Sequence, residues 1–591
     1  MNLMKSIKNI YKKDKFLIPV IFVSIIFFFI SSILPNYQRN QDFLKFFSPD
    51  ENANFVFTKL YSSGSDLFIF EKYNLIAEDI VTPRSYVSNN GYIKPVSFLG
   101  MTIYYGFLAK IFGSGIIPFL TPFFASLALV FYYLLIRKLF DNKNAFLSFF
   151  ILFSFPVLVY YSARSMFHNV LFLSLFVIGL YFLVSLFEKK PFSEEQGVKR
   201  LFSFDFLYSS LSGLFFGMAI AVRSSEIIWM FLSAFVLFVL KIKKVSILRL
   251  VVFLAFVLLP LIPIFYNNQM LYGSPFFGGY NEMNRSIESI SYASGEVVKS
   301  VFSLSLSNIK ELTKVIFNTI FYFGFYPNQS IDMFGKYFVK MFWYLFWPGV
   351  FGFLAFFIFS GKKKFKKISP YIISWMVASI FLVLYYGSWK FVDNPDPNRF
   401  TIGNSYTRYW LPIYIGAIPF VSFLIIKLSK IFDFIKRKSL RKCFSSLFIV
   451  VLISSIMFIS FKYVYSGSEE GLKHYFSKLD KAKFETEEII KLTESNAVII
   501  TEYHDKFIFP ERKVVVGRFN DDNMNRNYFN LTKYIPVYYY NFTFPEKDMD
   551  YLNSRRLKDF NLQIELISNI NETFSLYRIF PLEEITIDYD L

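Results

Sequence analysis

Long apolar runs alternate with short polar stretches from residue 16 to residue 463, and lysines and arginines cluster in every second interval. A bilayer crossing needs roughly 20 mostly apolar residues. Eleven runs meet that condition, at 16–34, 115–136, 145–163, 169–187, 205–222, 224–240, 247–266, 341–360, 369–387, 409–427 and 443–463. The intervals 1–15, 137–144, 188–204, 241–249, 361–367 and 427–442 together hold 28 Lys+Arg and 6 Asp+Glu. Basic excess marks the cytoplasmic side, so the pattern predicts an internal N-terminus and, after an odd number of crossings, an external chain from Val464 onward. The basic segment Met1–Lys15 followed by Phe16–Leu34 has the outline of a secretory signal. It is too long and lacks a small-residue cleavage site, so an uncleaved first span is expected.

Two of the expected external loops, 35–114 and 267–340, far exceed what joining two helices requires, and loops of that size carry function. Within the first, Val96–Phe112 is apolar but short, with Lys94 and Lys110 at its ends, which predicts a helix lying in the membrane interface. After residue 463 the pattern changes. A charged helical stretch at Lys481–Glu494, strands at Ala497–Thr501, Lys513–Val516 and Ile535–Tyr540, a helix around Met549–Phe560 and two final strands predict a small α/β or α+β domain. The expected fold class is a mainly α polytopic membrane protein, with a membrane domain over 1–463 and a small extracytoplasmic α/β domain over 464–591.

With 54% hydrophobic residues, 21% aromatics and a mean hydropathy of +0.40, the 591-residue chain is too apolar for an ordinary soluble protein. A net charge of +19 raises the question of nucleic acid. Its distribution answers it, because residues 1–463 carry 47 Lys+Arg against 22 Asp+Glu while residues 464–591 carry 16 against 22. The basic surplus belongs to the membrane part, and no nucleic-acid partner is expected. Cys443 is the single cysteine, so no disulfide can form within one chain. With histidine only at 168, 474 and 504, a histidine-rich metal centre is not expected. The absence of Walker-type or GxGxxG loops weakens any nucleotide-driven reading.

Candidate chemistry gathers at the outer ends of the spans. Asp50 and Glu51 are adjacent acids in SPDENANF, and the outer side also carries Lys94 in GYIKPVSF, Arg164 and His168 in YSARSMFHN, Arg223 in AVRSSE, and Arg399 and Arg408 in NRFTIGNSYTRYWLP. Ionisable groups near membrane depth are costly unless paired or used. Guanidinium groups bind phosphate oxygens through several donors, and a neighbouring carboxylate can take a proton from an attacking hydroxyl. A transferase on the outer side needs a donor delivered through the membrane, such as a sugar on a polyprenyl phosphate.

These motifs resemble those of the C-type membrane glycosyltransferases, in the branch that contains protein O-mannosyltransferases and the bacterial lipid A aminoarabinose transferase. The likeness rests on PDENANFVFTKLYSSG, KPVSFLGMTIYYGFLAKIFG, VLVYYSARSMFHNVLFLSLFVIGLYFLV, NNQMLYGSPFFGGY and TRYWLP, in that order relative to the spans, and covers most of residues 16–430. It implies Asp50 as catalytic base with Glu51 as companion, and Lys94, Arg164, Arg223 and Arg408 bordering the donor phosphate. His168, Asn169, Tyr280 and Tyr409 are implied to line the cavity. Where relatives commonly carry an acid after the YSAR-type segment this chain has His168 and Asn169, which puts a second acid and any metal built on it in doubt; no cofactor is expected. The implied reaction is an inverting transfer of a sugar from a polyprenyl-phosphate donor to a hydroxyl of an acceptor protein, lipid or glycan.

A transporter or flippase of lipid-linked or anionic substrates would also use external cations, although neither internal repeats nor midplane charges are evident. A structural or receptor-like component acting through its tail is the third reading. Sequons begin at Asn284, Asn328, Asn530, Asn541 and Asn571, all in expected external segments, and chance accounts for most of them in an asparagine-rich chain. The Lys, Asn, Ile and Phe bias suggests an AT-rich prokaryotic genome, hence a plasma membrane.

Overall fold

In the computed structural model every one of the eleven apolar runs is helical. It describes residues 14–38, 44–188, 204–241, 246–280, 314, 317–318, 320–391, 393, 401–467 and 470–582, so Arg399, the Asn284 sequon and the middle of the second long loop lie outside the described residues. Among the described helices eight are long and apolar enough to cross a membrane singly, or up to ten if two bent pairs each count as one span. The first run forms the helix Leu17–Gln38. Two runs differ from the straight spans expected. Asn142–Phe153 and Pro156–Arg164 meet at 51°, because Phe155 precedes a proline and is driven extended (φ −62°, ψ 121°). Trp343–Phe359 is preceded by helical turns over Pro327–Lys340, bent from it by 98°.

The chain divides into two compact units, one comprising residues 1–37, 118–264 and 286–473, the other 38–117, 265–285 and 474–591. The first holds nearly all the candidate spans. Gly213 and Gly217, four residues apart, let Phe204–Val222 lie directly on Ile247–Leu258: a Cβ at either would fall 2.3 Å from the Phe253 carbonyl oxygen or 2.2 Å from that of Val257. Lys438–Ser466 by contrast exposes Leu447, Val450, Val451 and Phe458, while Ser455 Oγ donates to its own helix at Val451 O, 2.8 Å away. An apolar face with its hydroxyls satisfied internally suits hydrocarbon rather than water.

In the second unit the helix Pro49–Ser62 packs on Leu99–Phe112 through Gly106, where a Cβ would lie 2.7 Å from the Tyr61 ring. Phe107, Ile111 and Phe112 form an exposed apolar edge on the latter helix. A small antiparallel sheet joins β1 (Ile69–Phe70), β2 (Tyr86–Asn89) and β3 (Tyr92–Pro95) in the order β1-β3-β2. Its tight turn is Asn90-Gly91, both at positive φ (51° and 82°), a hairpin signal in the sequence that was not among the expected elements.

The tail builds a five-stranded mixed sheet from β4 (Val498–Thr501), β5 (Lys513–Val516), β6 (Val537–Phe542), β7 (Leu562–Asn569) and β8 (Phe574–Pro581), in the order β5-β4-β6-β8-β7. β4 is parallel to both neighbours and wholly buried, which is why it reads as a continuous apolar run. The helix Asp522–Thr532 was not expected, since its sequence DNMNRNYFNLT has no long apolar stripe; Asp521 caps it by accepting the Met524 N–H at 3.0 Å. Ala77 and Val81 of the first loop share one core with Val498, Ile500, Val537 and Tyr539 of the tail. Buried Asp505 accepts the Arg84 backbone N–H at 2.9 Å and Nε at 3.0 Å, and Lys45 Nζ reaches Glu511 at 2.6 Å. The first long loop and the tail therefore fold as one body.

Candidate functional site

The sequence SPDE starts a helix by several rules at once: Ser48 at the N-cap, Pro49 in the first turn, and two acids where the helix dipole favours negative charge. Glu51 is fully buried and accepts the Ser48 N–H at 3.3 Å, which makes it part of the cap. Asp50 is only half-buried, and its Oδ1 accepts a hydrogen bond from Ser85 Oγ at 2.5 Å. Ser85 holds a positive φ of 68° immediately before β2. Asn52 ties the entering chain down, accepting the Phe46 N–H at 2.9 Å and donating to the Ser48 carbonyl at 3.0 Å.

Lys94 lies on β3 opposite Val87, and the neighbouring pair is Tyr86 with Pro95, so the hairpin that carries Ser85 to Asp50 also carries the Lys-Pro motif. Tyr272 donates its hydroxyl to the Pro95 carbonyl, and Lys94 Nζ is 6.0 Å from the Tyr272 ring centre. Gly279 crosses the same strand end so closely that a Cβ would sit 2.2 Å from the Pro95 oxygen and 2.6 Å from Val96 Cα. Tyr280, partly exposed, packs its ring edge-on to Phe98 at 5.4 Å. Four of the expected site residues, Asp50, Glu51, Lys94 and Tyr280, thus belong to the second unit, and three separated sequence motifs converge there.

The other six belong to the first unit. Arg164 ends its helix, Ser165 turns at φ 73°, and His168 opens the next helix. The Thr121 hydroxyl donates to the Ser165 carbonyl and holds this turn. Arg164 lies 4.7 Å from the Phe167 ring centre and donates to the Tyr160 hydroxyl at 3.2 Å. Arg408 lies 4.3 Å from the same Phe167 ring and 5.3 Å from that of Tyr409, while Arg223 is 4.7 Å from Tyr409. Three arginines distant in sequence form a ladder, Arg164–Phe167–Arg408–Tyr409–Arg223, with two aromatic rings as spacers. Buried His168 and Asn169 flank it, the Asn169 amide donating to the Arg408 carbonyl at 3.4 Å.

Glu226 was not among the expected residues. It accepts from Arg223 Nε at 2.9 Å, from the Tyr386 hydroxyl at 2.6 Å and from Trp229 Nε1 at 2.6 Å, and Tyr386 stacks on Tyr409 at 4.4 Å. The i,i+3 spacing of AVRSSE was the available signal. Among the described residues no group of three or more His, Cys, Asp or Glu could hold a metal ion. Of the sequons, Asn541 is buried with its amide on the Tyr539 hydroxyl at 2.8 Å, and the Asn571 amide donates to Glu485 at 2.6 Å.

No family model matches the chain, and no curated protein matches it. Solved structures do. The Archaeoglobus fulgidus oligosaccharyltransferase tethered to an acceptor peptide with an NVT sequon aligns over 96% of this chain and 74% of its own, at 13% identity and a TM-score of 0.55. The same organism's AglB, in complex with an inhibitory peptide and a dolichol-phosphate, aligns over 92% and 70% at 13% identity with a TM-score of 0.53. ArnT from Cupriavidus metallidurans bound to undecaprenyl phosphate aligns over 95% and 98% at 10% identity with a TM-score of 0.52. The chain has the fold these transferases share, the fold that the C-type resemblance implies.

Proposed function

We propose that this chain, folded like those transferases, is a membrane glycosyltransferase that moves a sugar from a polyprenyl-phosphate donor to an acceptor hydroxyl on the outer side of a prokaryotic plasma membrane. The observation that carries the proposal is the ladder of Arg164, Arg408 and Arg223, three guanidinium groups drawn into one place in a segment, residues 1–463, whose other basic residues sit mainly in the expected cytoplasmic loops. Two of the structural neighbours are described with a polyprenyl phosphate bound. An apolar cavity of about 470 Å³ lined by Phe338, Phe342, Val350, Met376, Tyr414 and Ile418 suits a prenyl chain.

In this reading Asp50 takes the proton of the acceptor hydroxyl as its oxygen attacks the anomeric carbon. The bond from that carbon to the phosphate oxygen breaks, and polyprenyl phosphate leaves with the bonding electrons. Lys94, Arg164 and Arg408 stabilise the charge developing on that phosphate. Arg223, already paired with Glu226, acts by orienting Tyr409 and the ladder. His168 and Asn169 flank the ladder, and Tyr280 stands beside the strand that carries Lys94. One displacement inverts the configuration and needs no covalent enzyme intermediate. Residues 1–463 carry the transfer, and 464–591 recognise the acceptor from the outer side.

Release of free polyprenyl phosphate from radiolabelled polyprenyl-phosphate sugars, by the protein in lipid with crude acceptor extract, tests this. Turnover that falls about 10²- to 10⁴-fold in Asp50→Asn supports an Asp50 general base. Labelled lipid that crosses the bilayer unhydrolysed, with no phosphate released from any donor, makes the protein a transporter.

A further inference from the structure

A second cavity, of about 350 Å³, lies within the first unit among Ile117–Leu139, His168–Phe187, Ile227–Lys241, Lys362–Gly387 and the start of Leu411–Leu428. Its lining includes Lys138, Glu188, Lys241 and Lys367, all at helix ends. These ends meet at one rim: Lys138 Nζ is 2.6 Å from Glu188 Oε2, and nearby Lys364 Nζ is 3.2 Å from Asp141. Among the described lining residues three lysines stand with one glutamate, a net positive charge. The same ends belong to the intervals that charge distribution assigns to the cytoplasm.

Deeper in, the wall offers hydrocarbon. Its polar groups are spent on neighbours: Tyr132 donates to Ile415 O at 3.0 Å, Tyr371 to Gly416 O at 2.8 Å and Trp375 Nε1 to Ile413 O at 3.1 Å. Ser233 and Ser374 bond to each other's carbonyls at 3.4 and 3.3 Å. What remains facing the cavity is Leu135, Leu173, Phe176, Val177, Leu237 and their neighbours. From Lys367 to Ala378 on one helix and from Lys241 to Trp229 on another, the lining spans roughly 17 Å at 1.5 Å per residue. That is about half the thickness of a hydrocarbon core, the depth of one leaflet.

We propose that this cavity is a binding site for an anionic phospholipid of the inner leaflet, its phosphate at Lys138, Lys241 and Lys367 and one acyl chain between the helices. Charge complementarity excludes a zwitterionic headgroup as the preferred occupant, and the one-leaflet depth favours an acyl chain over a long polyprenyl chain. The site is independent of the transfer reaction proposed above.

The test uses the full-length protein in nanodiscs carrying phosphatidylglycerol with a bromine-labelled acyl chain, against discs with the same chain on phosphatidylethanolamine. Bromine quenches nearby tryptophan, and Trp375 lines the cavity. Trp229 lines it too, so quenching greater for the glycerol lipid, with that excess lost in the Trp229→Phe, Trp375→Phe double variant, is the expected result. Native mass spectrometry should show retained phosphatidylglycerol falling about fivefold for each of Lys138→Gln, Lys241→Gln and Lys367→Gln. Lys363→Gln, off the lining, should change nothing. Equal quenching by the two lipids, undiminished retention in the triple glutamine variant, or displacement by polyprenyl phosphate at equal concentration overturns the assignment. If the triple variant does not fold, the quenching comparison in the unaltered protein still decides.

Discussion

The hydroxyl of Ser85 donates to Asp50 Oδ1 at 2.5 Å across 35 residues of chain, from a backbone turned to φ 68°. This bond aims the proposed base. Ser85→Gly keeps the unusual backbone at no steric cost and removes the Cβ with its hydroxyl. Turnover should fall about tenfold, the worth of a hydrogen bond to a charged group, while the thermal midpoint holds. Ser85→Ala, which carries the same Cβ at that φ as the native serine, should lose turnover by a similar factor. Unchanged turnover in Ser85→Gly would remove Ser85 from the site.

The ladder predicts that arginine and lysine are not interchangeable at 408. Arg408 sits over the Phe167 ring at 4.3 Å and donates to Ser405 Oγ at 2.8 Å, which a lysine cannot reproduce together. Arg408→Lys should weaken donor binding about tenfold, and Phe167→Leu should weaken it by a smaller factor by freeing both Arg164 and Arg408. Competition by unlabelled polyprenyl phosphate measures both. Identical affinity in Arg408→Lys would show that only charge matters there.

Arg223 and Glu226 are both buried, so each is costly without the other. Glu226→Gln should destabilise the protein by about 3–5 kcal/mol, since it strands a buried guanidinium. Arg223→Met combined with Glu226→Gln should recover much of that loss. Thermal unfolding in detergent reads it, and a double variant no better than Glu226→Gln alone would mean the pair is not the source of the cost.

In the tail, burial works to raise the Glu485 carboxyl, but hydrogen bonds from His504, Asn571 and Tyr540 outweigh it and hold the group below the usual carboxylate range. His504 Nε2 is 3.3 Å away and the Asn571 amide 2.6 Å. A depressed folded value contributes stability that is present above the unfolded carboxylate value, about 4.3, and is lost as pH falls through the folded value. The full chain should lose thermal stability below about pH 5, and Glu485→Gln should flatten that acid limb. An acid limb identical in the variant would assign it to other carboxylates.

The sequence by itself determined the membrane class, the helices of the apolar runs, the alternation of charged loops, and most strands of the tail. Each depends on a local rule: spans on length and hydropathy, the start at SPDE on capping chemistry, β4 on a continuous apolar run. The Asn90-Gly91 hairpin is also written locally, in a dipeptide that tolerates positive φ at both positions.

Other features have no local code. Nothing in YSARSMFHN or AVRSSE states that Arg164 and Arg408 share the Phe167 ring or that Glu226 collects three donors, because those contacts join residues up to 241 positions apart. Hydropathy placed Ala77 and Val81 in a loop and Val498 in a domain. Only packing decided that they share one core, since apolar surface is buried wherever complementary apolar surface is available, whatever its distance along the chain.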